Sequence, residues 1–359
     1  MSLQLAVIAP TLNERANIRS LVAAVERALT GLTWELIFVD DGSRDGTDAE
    51  IIALGQHDPR VRLISRHKRR GLSSAVVEGM MATVAPVVAV IDADMQHDES
   101  LLPKLYQAVA GGADLAVGTR YAGGGSVGEW DARRAQASAF ATRLSRLVLK
   151  TPLSDPMSGF FAIRRDLARE LEPRLSAIGF KILLDLAASS PRPLKIVELP
   201  YTFRDRVAGD SKMGSAVAWE FLLLLIDKSF GRFLPIRPLL FFAVGGLGLL
   251  VHLASLRLGL AADLPFRVAN PLAVALAILF NFTLNNVVTY RDKQLRGLRF
   301  LRGLLSFYLI CGLGALANVG IGNIAFNNHY RWWVAAAAGA IVGSAWNYVA
   351  SSFLTWRRK

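Results

Sequence analysis

The sequence predicts an α/β domain built on a mostly parallel, Rossmann-like sheet, followed by an all-α domain of four membrane-spanning helices. Three observations carry this reading. Short apolar runs alternate with helical patterns from the N-terminus onward, the rhythm of a sheet covered by helices on both faces. Beyond Pro238, charges almost vanish from four long stretches, each reaching the roughly 20 residues that a helix needs to cross a hydrocarbon core. A chain of 359 residues has length for two domains, and the change in composition says where they divide. The expected boundaries are 1–215 for the α/β domain, 216–237 for an amphipathic helix and connector, and 238–359 for the membrane domain.

Leu3–Ala9 reads as the first strand and Ala16–Leu29 as an amphipathic helix. Glu35–Val39 is the second strand, followed by the turn Asp40-Asp41-Gly42-Ser43 and a helix from about Thr47. Val61–Ser65 and Pro86–Ile91 are two more strands, separated by the helix Ser73–Thr83, and Leu115–Gly118 is a fifth. Ligands of such sheets sit beyond the carboxyl ends of the strands. Three of those ends carry acids or small polar groups: Pro10-Thr11-Leu12-Asn13-Glu14, Asp40-Asp41, and Asp92-Ala93-Asp94-Met95-Gln96-His97. No G-x-G-x-x-G follows the first strand, so the dinucleotide fingerprint is missing. Acids there imply that a metal meets a diphosphate.

Asp92 and Asp94 would face opposite ways along an extended strand, but a turn brings both toward one ion. Such hard oxygen ligands suit Mg²⁺ or Mn²⁺, which keep waters and bridge to substrate phosphates; Gln96 adds a neutral oxygen. A helix N-cap explains an isolated Asp-x-Asp as well. The end of an apolar strand and the following Gln96-His97 favour the metal.

At this point the chain resembles the dolichyl-phosphate mannose synthase branch of the family 2 glycosyltransferases. Six blocks carry the resemblance in order: Pro10 through Glu14, Val39 through Ser43, Asp92 through His97, Gly118-Thr119-Arg120-Tyr121, Asp155-Pro156-Met157-Ser158-Gly159-Phe160, and Arg206 through Lys212. The resemblance implies a GT-A nucleotide-sugar domain and inverting transfer of mannose from GDP-mannose to a polyprenyl or dolichyl phosphate. It implies that Pro10, Thr11, Glu14, Val39, Asp41, Ala93, Arg206 and Lys212 bind the donor nucleotide. Asp92, Asp94 and Gln96 would bind the metal, Asp92, Asp94 and Arg120 would be catalytic, and Arg120, Arg134 and Ser138 would meet the acceptor phosphate. Glucosyl relatives show Asp where His97 stands, which favours mannose over a UDP-glucose donor. One departure from the pattern is Glu99, at a place where proline is usual.

Arg134 and Ser138 are spaced to share a helix face, and guanidinium forks suit phosphate oxygens. Two further segments read as basic amphipathic helices, able to lie in a membrane interface or to pack on the domain's own core; the second leads directly into a span, which favours the interface. Phe140–Lys150 gathers Phe140, Leu144, Leu147 and Val148 on one face; Ala216–Phe233 gathers Trp219, Leu222, Leu223 and Ile226 against Glu220, Asp227 and Lys228.

The spans are Leu239–Leu260, Val268–Tyr290, Leu304–Phe326 and Trp332–Thr355. Arg291, Lys293, Arg296, Arg299 and Arg302 lie between the second and third, and Arg357, Arg358 and Lys359 end the chain. Cations gather on the cytoplasmic side, so the catalytic domain and both termini are expected there. The net charge of +12 is assigned to an anionic bilayer surface rather than to nucleic acid. The single cysteine, Cys311, falls inside a span, and no cleavable signal peptide is expected at the N-terminus. An internal repeat joins Phe280-Asn281-Phe282 to Trp346-Asn347-Tyr348 and Thr289-Tyr290-Arg291 to Thr355-Trp356-Arg357. This resembles the four-span GtrA-like family, suspected in flipping lipid-linked sugars. A flippase with a binding-only N-terminal domain is the rival reading, opposed by the intact Asp92, Asp94 and Arg120. A processive synthase would show Gln-x-x-Arg-Trp, which does not occur.

Overall fold

The computed structural model describes residues 2–66, 71–126, 140–176, 179–204, 215–230, 236–290, 293–329 and 331–357. The chain separates into two units, Met1–Arg232 and Phe233–Lys359.

Seven strands of the first unit form one sheet, in the order β3-β2-β1-β4-β6-β5-β7. They are β1 (Leu5–Thr11), β2 (Trp34–Asp40), β3 (Val61–Ser65), β4 (Val87–Val90), β5 (Leu115–Thr119), β6 (Phe161–Arg164) and β7 (Ile196–Pro200). The five predicted strands are present. β6 and β7 are additional: β6 runs antiparallel between β4 and β5, while β7 lies parallel to β5. Alternation along β1 feeds two cores, with Leu5, Val7 and Ala9 on one face and Ala6 and Ile8 on the other. Helix α1 (Arg15–Ala28) adds Ile18, Leu21, Val22 and Val25 to the first core at helical spacing. Each such burial contributes about 1.5–3 kcal/mol. Helices α2 (Thr47–His57), α3 (Leu72–Met81), α4 (Leu102–Ala110), α5 (Arg165–Leu171) and α6 (Ile182–Ser189) complete the layers. The result is the expected three-layer α/β domain.

The two amphipathic segments pack differently from their expected faces. In 140–150, Leu144 and Val148 turn inward while Phe140 and Leu147 stand exposed. Helix α7 (Ser215–Phe230) buries Phe221, Leu224 and Leu225 against Leu184, whereas Leu222 is exposed. Lys228, expected on the polar face, is buried and pairs with the fully buried Asp185 at 2.6 Å. Its ammonium also donates to the Arg174 carbonyl and to Ser189 Oγ, each at 2.8 Å. A charge pointing into the core is tolerable because every contact compensates it.

The second unit consists of α8 (Ile236–Ala261), α9 (Phe266–Val287), α10 (Leu298–Asn327) and α11 (Trp332–Ala350), the last continued by a π-turn over Ser351–Thr355. Among the described residues, three segments are long and apolar enough to span a membrane: Arg237–Ala261, Phe266–Val287 and Leu298–Ile321. The internal repeat is visible as packing. α8 pairs with α9, and α10 with α11. In the first pair Gly248 receives the Asn281 side chain; in the second, Gly314 receives Asn347. A methyl group at either glycine would collide with the amide. The repeat mates Tyr290 and Trp356 stack on each other, 4.1 Å between centroids and 5° between planes. Phe241, Phe282 and Phe307 surround them.

Lys228→Met leaves the Asp185 charge buried without its partner and is expected to destabilise the first unit by about 3 kcal/mol. Denaturant unfolding of the detergent-solubilised chain checks this; an unchanged midpoint would show the pair to be dispensable.

Candidate active site

The first two strand ends are locked together by short side chains. Asn13 takes a left-handed φ of 58°, a conformation asparagine tolerates. Its amide N–H donates to Ser43 Oγ at 2.8 Å, and its side-chain oxygen accepts from Arg44 N–H at 2.9 Å. Asp40 accepts from the N–H groups of Gly42 (3.0 Å) and Ser43 (2.9 Å), from the Ser43 hydroxyl, and from Thr11 Oγ1 at 3.3 Å. Asp40 and Thr11 therefore shape the turn.

Asp41 is buried with Arg66, at 6% and 4% exposure. Arg66 Nη1 donates to Oδ1 at 2.5 Å and Gly71 N–H to Oδ2 at 2.7 Å. Burial pushes the Asp41 carboxyl above its ordinary range, against the pull of Gly71 and Arg66. Both carboxylate oxygens are thus engaged, and a base edge approaching Asp41 would have to share them. The sequence gives no sign of Arg66, which arrives from the end of β3.

The end of β4 carries the acid pair. The Asp92 side chain is 33% exposed, whereas Asp94 is buried and accepts from Gln96 N–H at 3.3 Å. Met95, directly after Asp94, takes φ 62°, which turns the chain sharply at this point. Gln96 Nε2 donates to the Arg204 carbonyl at 3.0 Å, and Arg204 N–H donates back to Gln96 O at 2.9 Å. Just before β6, Gly159 brings its main chain close to the acid: an added Cβ would lie 2.8 Å from Asp92 Oδ2. Any side chain there would have to displace the carboxylate.

His97 lies beneath, 2% exposed. Its ring stacks on Phe160 at 5.0 Å and 10°, with Tyr201 and Phe203 edge-on at 5.8 Å. Burial pushes the imidazole down to about 4, so it is neutral at physiological pH.

Arg120 follows β5 and is held by Asp155, which is fully buried. Nε donates to Oδ2 at 2.6 Å and Nη2 to Oδ1 at 2.8 Å, a bidentate fork. The guanidinium also faces the rings of Phe203 and Tyr121 at 5.4 and 5.6 Å. Asp155 and Gly159 sit in a block that the sequence singles out, but their partners appear only in the fold.

Of the expected donor residues, Val39 and Ala93 are buried in the two cores, so only their backbone can meet a ligand. Pro10 is partly exposed at the end of β1, and Glu14 accepts from Asn17 Nδ2 at 2.8 Å. Arg134, Ser138, Arg206 and Lys212 lie outside the described residues. Among the described residues no three His, Cys, Asp or Glu side chains gather as a self-contained metal cage. The present set nevertheless fits a small hard cation. Mg²⁺ and Mn²⁺ are commonly held by one or two carboxylates, with phosphates and water filling the shell, and the bare Gly159 leaves room beside Asp92.

Two family models divide the chain. Residues 6–172 match the glycosyl transferase family 2 model and residues 240–356 the GtrA/DPMS transmembrane domain. A dolichol-phosphate mannosyltransferase of Pyrococcus furiosus is 36% identical over 359 residues, covering 99% of each chain. The chain belongs to glycosyl transferase family 2. This family 2 enzyme is also similar to a Saccharomyces cerevisiae dolichol-phosphate mannosyltransferase, 37% identical over 234 residues that cover 62% of this chain and 85% of the yeast protein. A more distant likeness is to glucosyl-3-phosphoglycerate synthase from Mycobacterium tuberculosis, crystallised with UDP. There the identity is 21% and the TM-score 0.47, over 63% of this chain and 80% of that one. The transferase is a membrane protein, with its transmembrane domain in the second unit.

In this transferase Gly159→Ala forces the Asp92 carboxylate aside. Sugar transfer should fall by about a hundredfold, since displacements near 1 Å cost that much, while the thermal midpoint changes little. Near-parental kcat/KM would show that the Asp92 position is not demanding.

Proposed function

We propose that the enzyme transfers mannose from GDP-mannose to a polyprenyl phosphate, with inversion at the anomeric carbon, at the cytoplasmic face of the membrane. The observation that carries this is the likeness to a dolichol-phosphate mannosyltransferase across both halves of the chain. The acidic strand ends supply a matching chemistry. Asp92 and Asp94, with Gln96, would hold Mg²⁺ or Mn²⁺ where the donor diphosphate binds. When bound, the ion offsets the charge that builds on the departing GDP.

The acceptor is a phosphate oxygen, already anionic at neutral pH, so the residues need to orient it rather than deprotonate it. Arg120 brings a charged group to the end of β5, and Asp155 fixes the direction of its fork. Preset in this way, the guanidinium stabilises phosphate charge with little reorganisation. Arg134 and Ser138 join it on the acceptor, and Arg206 and Lys212 on the donor. Pro10, Thr11, Glu14, Val39, Asp41 and Ala93 frame the nucleoside, several of them through backbone alone. The membrane domain keeps the enzyme where a polyprenyl headgroup lies. The cations between the second and third spans and at the C-terminus support a cytoplasmic catalytic domain.

Purified protein with a short polyprenyl phosphate should place label from GDP-mannose in the lipid phase when Mg²⁺ or Mn²⁺ is present. Chelator should abolish it, and Asp94→Ala should lower it by roughly a hundredfold or more. Label from UDP-glucose instead would overturn the donor, and transfer that survives chelation would overturn the metal.

A further inference from the structure

The pair Asp92 and His97 is joined by contacts that the reaction described above leaves unused. The backbone N–H of Asp92 donates to His97 Nδ1 at 3.2 Å. An acceptor at Nδ1 puts the proton of the neutral ring on Nε2. That N–H sits 3.7 Å from Asp92 Oδ2, too long for a direct hydrogen bond but close enough for a favourable dipole. The imidazole has little freedom of its own, because Phe160 stacks on one face and Tyr201 and Phe203 meet it edge-on. The main chain of Gly159 also stands close to the carboxylate.

We propose that His97 is a positioning residue, which fixes the backbone and carboxylate of Asp92 so that the acid is preset for a divalent cation and the donor diphosphate. The proposal rests on the reading of Asp92 and Asp94 as cation ligands. It assigns His97 a role different from the one its place in the sequence suggests: at 2% exposure the ring supports the acid and does not read the sugar. Partners behind a metal ligand are worth about 10–100-fold in metal affinity, so the effect is large enough to measure.

A matched pair of substitutions separates this from simple packing. His97→Asn carries a carbonyl oxygen near the Nδ1 position and can accept from Asp92 N–H; His97→Leu has a similar size and no acceptor. Leucine is the better apolar filler of the aromatic box, so its variant should be at least as stable. Mn²⁺ binding to the full-length protein with GDP present, followed by electron paramagnetic resonance, is the readout. The expected result is an affinity near parental in His97→Asn and about tenfold weaker in His97→Leu, with the thermal midpoint of His97→Leu no lower. Equal losses in both, or no loss in either, would overturn the proposal. Should both variants unfold, Phe160→Leu removes the stacking partner and keeps the imidazole; weaker Mn²⁺ binding there supports the role and unchanged binding refutes it. Asp94→Ala is the reference. If it binds Mn²⁺ normally, the cation-site reading itself fails; if it loses Mn²⁺ while His97→Leu keeps it, only the role of His97 fails.

Discussion

The close approach of the Gly159 main chain to the Asp92 carboxylate is the contact on which the catalytic half depends. It exists because β6 runs antiparallel into the gap between β4 and β5. That insertion carries the segment Asp155–Phe160 across the carboxyl end of β4. Asp155 then meets Arg120, Ser158 Oγ donates to Gly118 O at 2.7 Å, and Phe160 stacks under His97. Four functions of one short segment come from a single reversed strand. A side chain at residue 159 would displace the Asp92 carboxylate while the other three contacts stay in place.

Charge burial shapes the rest of the site. Arg66 with Asp41, and Arg120 with Asp155, are nearly removed from water. Ions in such surroundings are tolerated only when paired and hydrogen-bonded. Removal of one partner strands the other. The pairs therefore hold the ends of β2 and β5 in single arrangements, and they leave Asp92 as the partly exposed acid of the β4 pair. The membrane half uses a different economy, in which glycine notches receive asparagine amides and stacked aromatics join the repeat mates. Small residues that let polar side chains approach are a usual solution inside a bilayer.

Much of this was legible from the chain alone. Five strands followed from apolar alternation, and their ends placed Asp40, Asp41, Asp92 and Asp94 together without any tertiary information. β6 is not legible because four residues, Phe161–Arg164, show no usable period, and β7 is a half-buried edge strand ending in Pro200. The buried face of α7 is only partly set by its sequence for a related reason. Phe221 through Ile226 is apolar on every side, so the pattern sets no phase, and Lys228 counts as polar although it is buried. The partners of the site residues were not legible at all. Arg66 behind Asp41, Asp155 behind Arg120 and Gly159 against Asp92 are neighbours only after folding.

The central claim is that the acid pair at the end of β4 holds a cation against the donor diphosphate. The most direct test is a structure of the full chain with GDP and Mn²⁺, with the ion located by its anomalous scattering. The account predicts one strong peak touching Asp92 or Asp94 and the diphosphate oxygens, beside Gly159. A bound nucleotide with the ion elsewhere, or a diphosphate held by cations of the protein alone, would contradict it.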